Sequence, residues 1–211
     1  DPFNAEAYTL FEDLELKSFY KRFSVEKKEE LIFETVLIDE IDGYNALLAK
    51  LQKAKEVSFA WITQDEEALG IAVCMDLEHV YLIRFMMFIT EAMVADNLLA
   101  LSREYGVQLS CMHVKKLLPF LDFHEEDAVF DAGLAAYLLQ PNQSEYEYDT
   151  LAKVYLDVTL PAEKEVLGKE KLGYFSFEDE KLQKWMGYQA IVPYKVKAVL
   201  REKLKKTGME A

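Results

Sequence analysis

The chain has 211 residues, 51% of them hydrophobic and 29% charged, with a formal net charge of −14. That length suffices for one well-buried domain with a small extra element at one end, and eight Gly and five Pro are too few for low-complexity sequence or long disordered linkers. The acidic balance argues against a free-standing domain that grips nucleic acid, because such affinity comes largely from neutralising phosphates, and only a local basic groove would escape the overall repulsion.

Residues 1–24 differ from the rest. Ala5–Leu16 has the spacing of a short amphipathic helix with Leu10, Phe11 and Leu14 on one side. That face has no partner within its own segment, so it must dock elsewhere. Residues 26–31 read as a solvated connector. From there strands and helices alternate. Glu34–Ile38 is short and β-prone, and Asp42 is placed to cap a helix carrying Tyr44, Leu47, Leu48 and Leu51. Val57–Gln64, Ala68–Met75 and His79–Arg84 are strands in close succession, with the short turns Asp65-Glu66-Glu67 and Asp76-Leu77-Glu78 of an antiparallel meander. Thr90 opens a helix through Tyr105, and Gly106 suits a left-handed C-terminal cap. Gln108–Met112 is a strand, Val114–Leu121 a short helix and Ala128–Phe130 a short strand. Asp131 caps the helix Ala132–Leu139, which Pro141 stops, and Asp149 caps a helix through Leu156. The last long helix runs from about Glu178 to Lys205. Pro193 is expected to break it, because its missing N–H would have bonded the Gln189 carbonyl. A hairpin run followed by strands separated by helices predicts a mixed sheet with helices on its faces.

Cys74 and Cys111 lie in apolar, strand-like runs without CxxC spacing and read as buried thiols of a reduced, cytoplasmic protein. No apolar stretch reaches the ~18 uncharged residues of a membrane span, and no signal peptide opens the sequence. It starts at Asp1, as a piece of a longer protein would. His79, His113 and His124 lack zinc-ligand spacing. Asp65, Glu66 and Glu67 read as a solvated hairpin tip rather than a displaced metal cluster.

Six stretches carry a resemblance. Glu34–Asp39, Leu47–Ala54 and Val57–Trp61 come first. Then follows Phe130–Pro141 with Tyr148–Lys153 behind it, the most specific match, while Leu10–Tyr20 precedes them all. In this order they resemble the 3′–5′ exonuclease-like domain of bacterial DNA polymerase I, family A, and the segment leading into it from the 5′-nuclease side. The resemblance covers nearly the whole chain. It implies an α/β, ribonuclease-H-like fold, a five-stranded mixed sheet flanked by helices, with a docking segment at 1–24 and the exonuclease-like domain at 25–211.

Active members of that family hold two divalent metals between carboxylates, one to activate water and one to stabilise the leaving oxygen. The first strand supplies an Asp-x-Glu pair, since residues two apart on a strand share a face. Aligned on Phe59-Ala60, those positions are Ile62 and Gln64. Isoleucine cannot ligate, and glutamine offers one neutral oxygen. In the second motif His113 and Lys115 keep the pattern, and Leu117 stands where Asp would be. In the third, a Tyr followed four residues later by Asp, Tyr188 is kept as the water-orienting residue and Val192 replaces the Asp. A register shifted by one helical turn pairs Trp185 with Gln189 and also lacks the acid. The resemblance therefore implies a degenerate site with no catalytic residue, metal or cofactor of its own. Mg²⁺ would serve the polymerase domain of the parent protein. Expected partners are that domain and, through the parent, DNA; no membrane contact and a monomer are expected. Trp185 is expected in the core, and the basic run Lys195, Lys197, Arg201, Lys203, Lys205 and Lys206 at an interdomain joint. Two rivals remain: a residual nuclease using relocated acids, and a module that holds single-stranded DNA without cutting it.

Overall fold

A computed structural model of the protein describes residues 31–209. The expected docking helix within residues 1–24 lies outside the described residues. Six strands, β1 (Glu34–Ile38), β2 (Glu56–Gln64), β3 (Glu67–Cys74), β4 (His79–Arg84), β5 (Gln108–Cys111) and β6 (Val129–Asp131), form one sheet in the order β1-β4-β3-β2-β5-β6. β3 runs antiparallel to β2 and β4, and the other pairs are parallel. The sheet is therefore mixed, as expected, with six strands rather than five. The sixth is β1, whose five residues pair in parallel with β4. A parallel edge strand has no hairpin turn to announce it.

Seven α-helices complete the described domain: α1 (Ile41–Leu51), α2 (Glu91–Arg103), α3 (Val114–Leu117), α4 (Ala132–Leu139), α5 (Tyr148–Leu156), α6 (Glu163–Leu167) and α7 (Glu180–Thr207). A 3₁₀ turn at Tyr174–Glu178 precedes α7. Alternation along β2 sends Phe59 and Trp61 to one core with Tyr44, Leu47, Val94 and Leu98 of α1 and α2. It sends Ala60 and Ile62 to the other core with α4, α5 and α7. Both faces are thus covered, which is why β2 and β3 read as near-continuous apolar runs.

Local signals set the element ends. The Thr90 side chain accepts the Met93 N–H, and Gly106 takes φ +67° behind α2. Asp65 and Glu66 both have positive φ, as a two-residue hairpin turn between β2 and β3 requires. Three expectations change. Glu40, not Asp42, occupies the cap position of α1. Glu147, not Asp149, does so for α5, and Asp149 sits in its first turn. α7 stays helical across Pro193 for 28 residues. Pro193 is buried against the sheet, so tertiary packing overrides the loss of one backbone bond.

Candidate functional site

The C-terminal end of β2 opens onto a cleft made of two adjoining cavities of about 180 and 200 Å³, both lined by Trp61, Thr63, Glu163 and Gln189. His113, Lys116, Leu117, Glu147 and Tyr148 line the first. Ile62, Gln64, Asp65, Leu172 and Trp185 line the second. Leu117 thus borders the first cavity, and Ile62 and Gln64 the second.

The last helix enters in a different phase. Trp185 and Gln189 face the cleft, whereas Val192 is fully buried in the core and Tyr188 packs edge-on against Phe33 and parallel to Tyr148, at 5.6 and 6.2 Å between ring centroids. Trp185 and Gln189, the pair of the shifted register, line the cleft, and Tyr188 and Val192 do not. Positions 185 and 189 lie one turn apart, so they share a helix face. Position 188 is rotated about 60° away from 185.

Each neutral residue has a use in packing. Ile62 is 1% exposed beneath α7. Gln64 accepts the Leu172 N–H at 2.8 Å through Oε1, and next to it Asp65 pairs with Lys171 at 2.6 Å. The Lys171 hydrogen bond holds the Asp65 carboxyl below its usual range. These bonds tie the segment after α6 across the end of β2. Phe177, fully buried, then lies on Gly70, where an added Cβ would meet its ring at 2.6 Å and the Ile83 carbonyl at 2.4 Å. Sequence reasoning missed this strap; among its signals only the Gly-bounded aromatic run Gly173–Phe177 was available.

On the other side, β5 ends in a tight latch. His113 takes a left-handed conformation (φ +53°), and its N–H and that of Val114 donate to the two Asp131 carboxylate oxygens at 3.0 and 2.8 Å. Asp131 also accepts the Leu134 N–H at 2.9 Å, the expected N-cap of α4. His113 Nε2 is 3.2 Å from Glu147, which also pairs with Lys116 at 3.1 Å. The hydrogen bond from His113, reinforced by Lys116, lowers the Glu147 carboxyl to about 2. Burial raises the Tyr148 phenol well above its ordinary value.

This donor set does not fit a pair of hard cations, which want several anionic oxygens in a near-octahedral array. Among the described residues no group of three or more His, Cys, Asp or Glu side chains converges on one point. Asp65 and Glu147 are engaged by cations. His79 and His124 sit apart, each beside carboxylates of its own loop. Trp185 is 4% exposed, its indole packed into the core. In the basic run, Lys197 is buried against Glu56 at 2.9 Å, and Arg201 lies over the Phe130 ring.

No protein-family model matches the sequence, and no curated protein matches it. Solved structures do. Escherichia coli RNase D, an exoribonuclease involved in structured RNA processing, superimposes with a TM-score of 0.63 at 13% identity, over 83% of this chain and 46% of its own. The catalytic core of RRP6 from Trypanosoma brucei gives 0.61 at 10%, over 84% and 48%. The fold is that of an exonuclease domain. The POL domain of Pol1 from M. smegmatis, in complex with DNA primer-template and dNTP, gives 0.58 at 18%, over 83% of this chain and 28% of that one. The chain thus spans about half, or less, of the length of these structures. Among the described residues no helix is long and apolar enough to cross a membrane.

Proposed function

We propose that this chain is a non-catalytic, structural exonuclease-like domain of a family A DNA polymerase I, with proofreading lost. Its parent would extend primers from deoxynucleoside triphosphates in replication and repair, using Mg²⁺ in a polymerase domain that this chain does not include. This domain would brace that polymerase domain, as a cytoplasmic monomer, and meet DNA through the parent. The observation that carries the reading is the end of β2: Ile62 belongs to the core, and the Gln64 carboxamide serves the Leu172 backbone. The likeness to a Pol1 POL domain supports the choice of parent.

The test is a 3′-end trimming assay on labelled single-stranded DNA, with Mg²⁺ and then Mn²⁺, beside an active exonuclease domain. No trimming is expected while the control works. Chelator-sensitive trimming that survives repurification, and stops when Glu163 is replaced by Gln, would overturn the reading in favour of a nuclease with relocated acids. The single-stranded DNA module remains a second reading, because the cleft persists as two open cavities. It requires salt-sensitive oligonucleotide affinity that changes when cleft residues are substituted.

A further inference from the structure

The opposite end of β2 has a different chemistry. There the end of α1, the turn after it, the first residue of β2, the end of β3 and Tyr194 of α7 surround an open cavity of about 630 Å³ lined by Lys50, Lys53, Lys55, Glu56 and Asp76. In a chain with 38 acidic and 24 basic residues, clustered lysines ordinarily find carboxylates. None of these three lies within ion-pair distance of one among the described residues. The Lys50 ammonium lies instead 6.0 Å from the Tyr81 ring centroid.

The two carboxylates of the cavity are already engaged. Glu56 is 2.9 Å from Lys197 and accepts the Ser110 hydroxyl at 3.3 Å. Asp76 accepts the Glu78 and His79 N–H groups at 2.8 and 2.7 Å, closing the turn after β3. The lysines are not consumed by the helix end either. A helix C-terminus attracts cations because its last carbonyls lack partners. Here the N–H groups of Gln52, Lys53 and Ala54 take the carbonyls of Leu48, Lys50 and Leu51. Lys50 stands in the last turn of α1, and Lys53 and Lys55 lie beyond it.

We propose that this cavity is an anion site for a phosphate group, carried either by a nucleic-acid backbone or by a free phosphate compound. Ammonium groups bind phosphate as point charges. Three of them on one concave surface focus a positive field against the chain's overall −14. The Tyr194 hydroxyl donates to the Met75 carbonyl at 2.9 Å and so fixes the floor rather than the ligand. The site lies away from the cleft, and the proposal does not rest on the reading of the chain as a polymerase domain.

The experiment follows the amide resonances of the full 211-residue chain during titration with a labelled oligothymidylate and, separately, with tripolyphosphate. Anisotropy of the labelled oligonucleotide gives the affinity. The amides of residues 50–56 should shift. With three phosphate contacts on a single strand, the oligonucleotide affinity should fall roughly twentyfold between 50 and 200 mM salt. The variant Lys50→Gln/Lys53→Gln/Lys55→Gln should bind at least about tenfold more weakly. The charge-matched variant Lys153→Gln/Lys164→Gln/Lys184→Gln, on exposed positions elsewhere, should bind like the parent. Tripolyphosphate that shifts the same amides while the oligonucleotide does not identifies a free phosphate compound, and the converse identifies the nucleic-acid backbone. Equal weakening by both triple variants, or no shift at residues 50–56 with either probe at low salt, would overturn the proposal.

Discussion

The carboxamide at position 64 presents a neutral hydrogen-bond acceptor, used by the Leu172 N–H, at the edge of the cleft. Introducing acids around the cleft tests the geometry residue by residue. Ile62→Asp alone places a carboxylate where the side chain is 1% exposed, and should cost about 3 kcal/mol or more in a denaturant melt. The fourfold variant Ile62→Asp/Gln64→Glu/Leu117→Asp/Gln189→Asp gathers four acids around one cleft. Saturating Mn²⁺ should then raise its melting temperature by about 5 °C or more and leave the parent chain unmoved. Exchanging Gln189→Asp for Val192→Asp should abolish the rescue, because Val192 points into the core. Rescue by the Val192 version would return the third motif to the Tyr188 register. That Ile62 and Gln64 share a strand face was legible because a strand has a two-residue period. Which face of the last helix meets the cleft was not, since the sequence offers two registers and only the packing of α7 places Trp185 and Gln189, rather than Tyr188 and Val192, along it. Glu147 gives a second residue-level test. Its carboxyl, lowered from 4.5 to about 2 by His113 and Lys116, binds its proton more readily in the unfolded chain. The pair therefore stabilises the fold above about pH 4.5, and that contribution fades as pH falls through about 2. Glu147 is half-exposed, so solvent screening holds the effect to about 1 kcal/mol or less. Glu147→Gln should be less stable than the parent at neutral pH and equal to it near pH 2 in urea melts. A constant difference across that range would show that the loss comes from helix capping rather than charge.

At the scale of elements, the strap from Gly168 to Asp179 borders the cleft through Leu172. Its polar anchors in the sheet are Gln64, which accepts the Leu172 N–H, and Arg84 of β4, which donates to the Tyr174 carbonyl at 3.2 Å and pairs with Glu178 at 2.9 Å; its apolar anchors are Leu172 at 7% and Phe177 at 0% exposure. Gln64→Ala leaves the Leu172 N–H part-buried without its acceptor, which should cost roughly 1 kcal/mol. Hydrogen exchange should accelerate at Leu172 and its neighbours and stay unchanged in α2, on the far face of the sheet. Unchanged exchange at Leu172 would mean that the Arg84 bonds and the apolar contacts hold the strap without Gln64. The strap escaped sequence reading because it has neither helical nor strand periodicity, and its order comes from long-range contacts. The same reason explains Pro193. Local propensity predicts a break, and the buried face of α7, from Trp185 through Leu204, keeps the helix continuous. The central strands, by contrast, were visible in outline because their apolar runs are bounded by acidic turns.

For the whole molecule, the question is whether the two cores flanking the sheet fold as one unit. The two cysteines report on them separately. Cys74 lies in the core beneath α7, where its thiol donates to the Ala190 carbonyl at 3.4 Å, and Cys111 lies in the core beneath α1 and α2. Both are fully buried, and burial raises both thiols well above their ordinary value, so neither offers a reactive thiolate in the folded state. Labelling then requires opening, and under native conditions its rate measures the free energy of that opening. β2 contributes Phe59 to one core and Ile62 to the other, so losing the strand empties both. Single-cysteine variants, Cys74→Ala and Cys111→Ala, should therefore label at rates within about threefold of each other once corrected for the stability each substitution removes, and both rates should track the global unfolding free energy in denaturant. Much faster labelling of Cys111 would show that the β5–β6 side, held by the Asp131 latch, opens on its own. The described domain would then have one yielding side, and the cleft would widen there first.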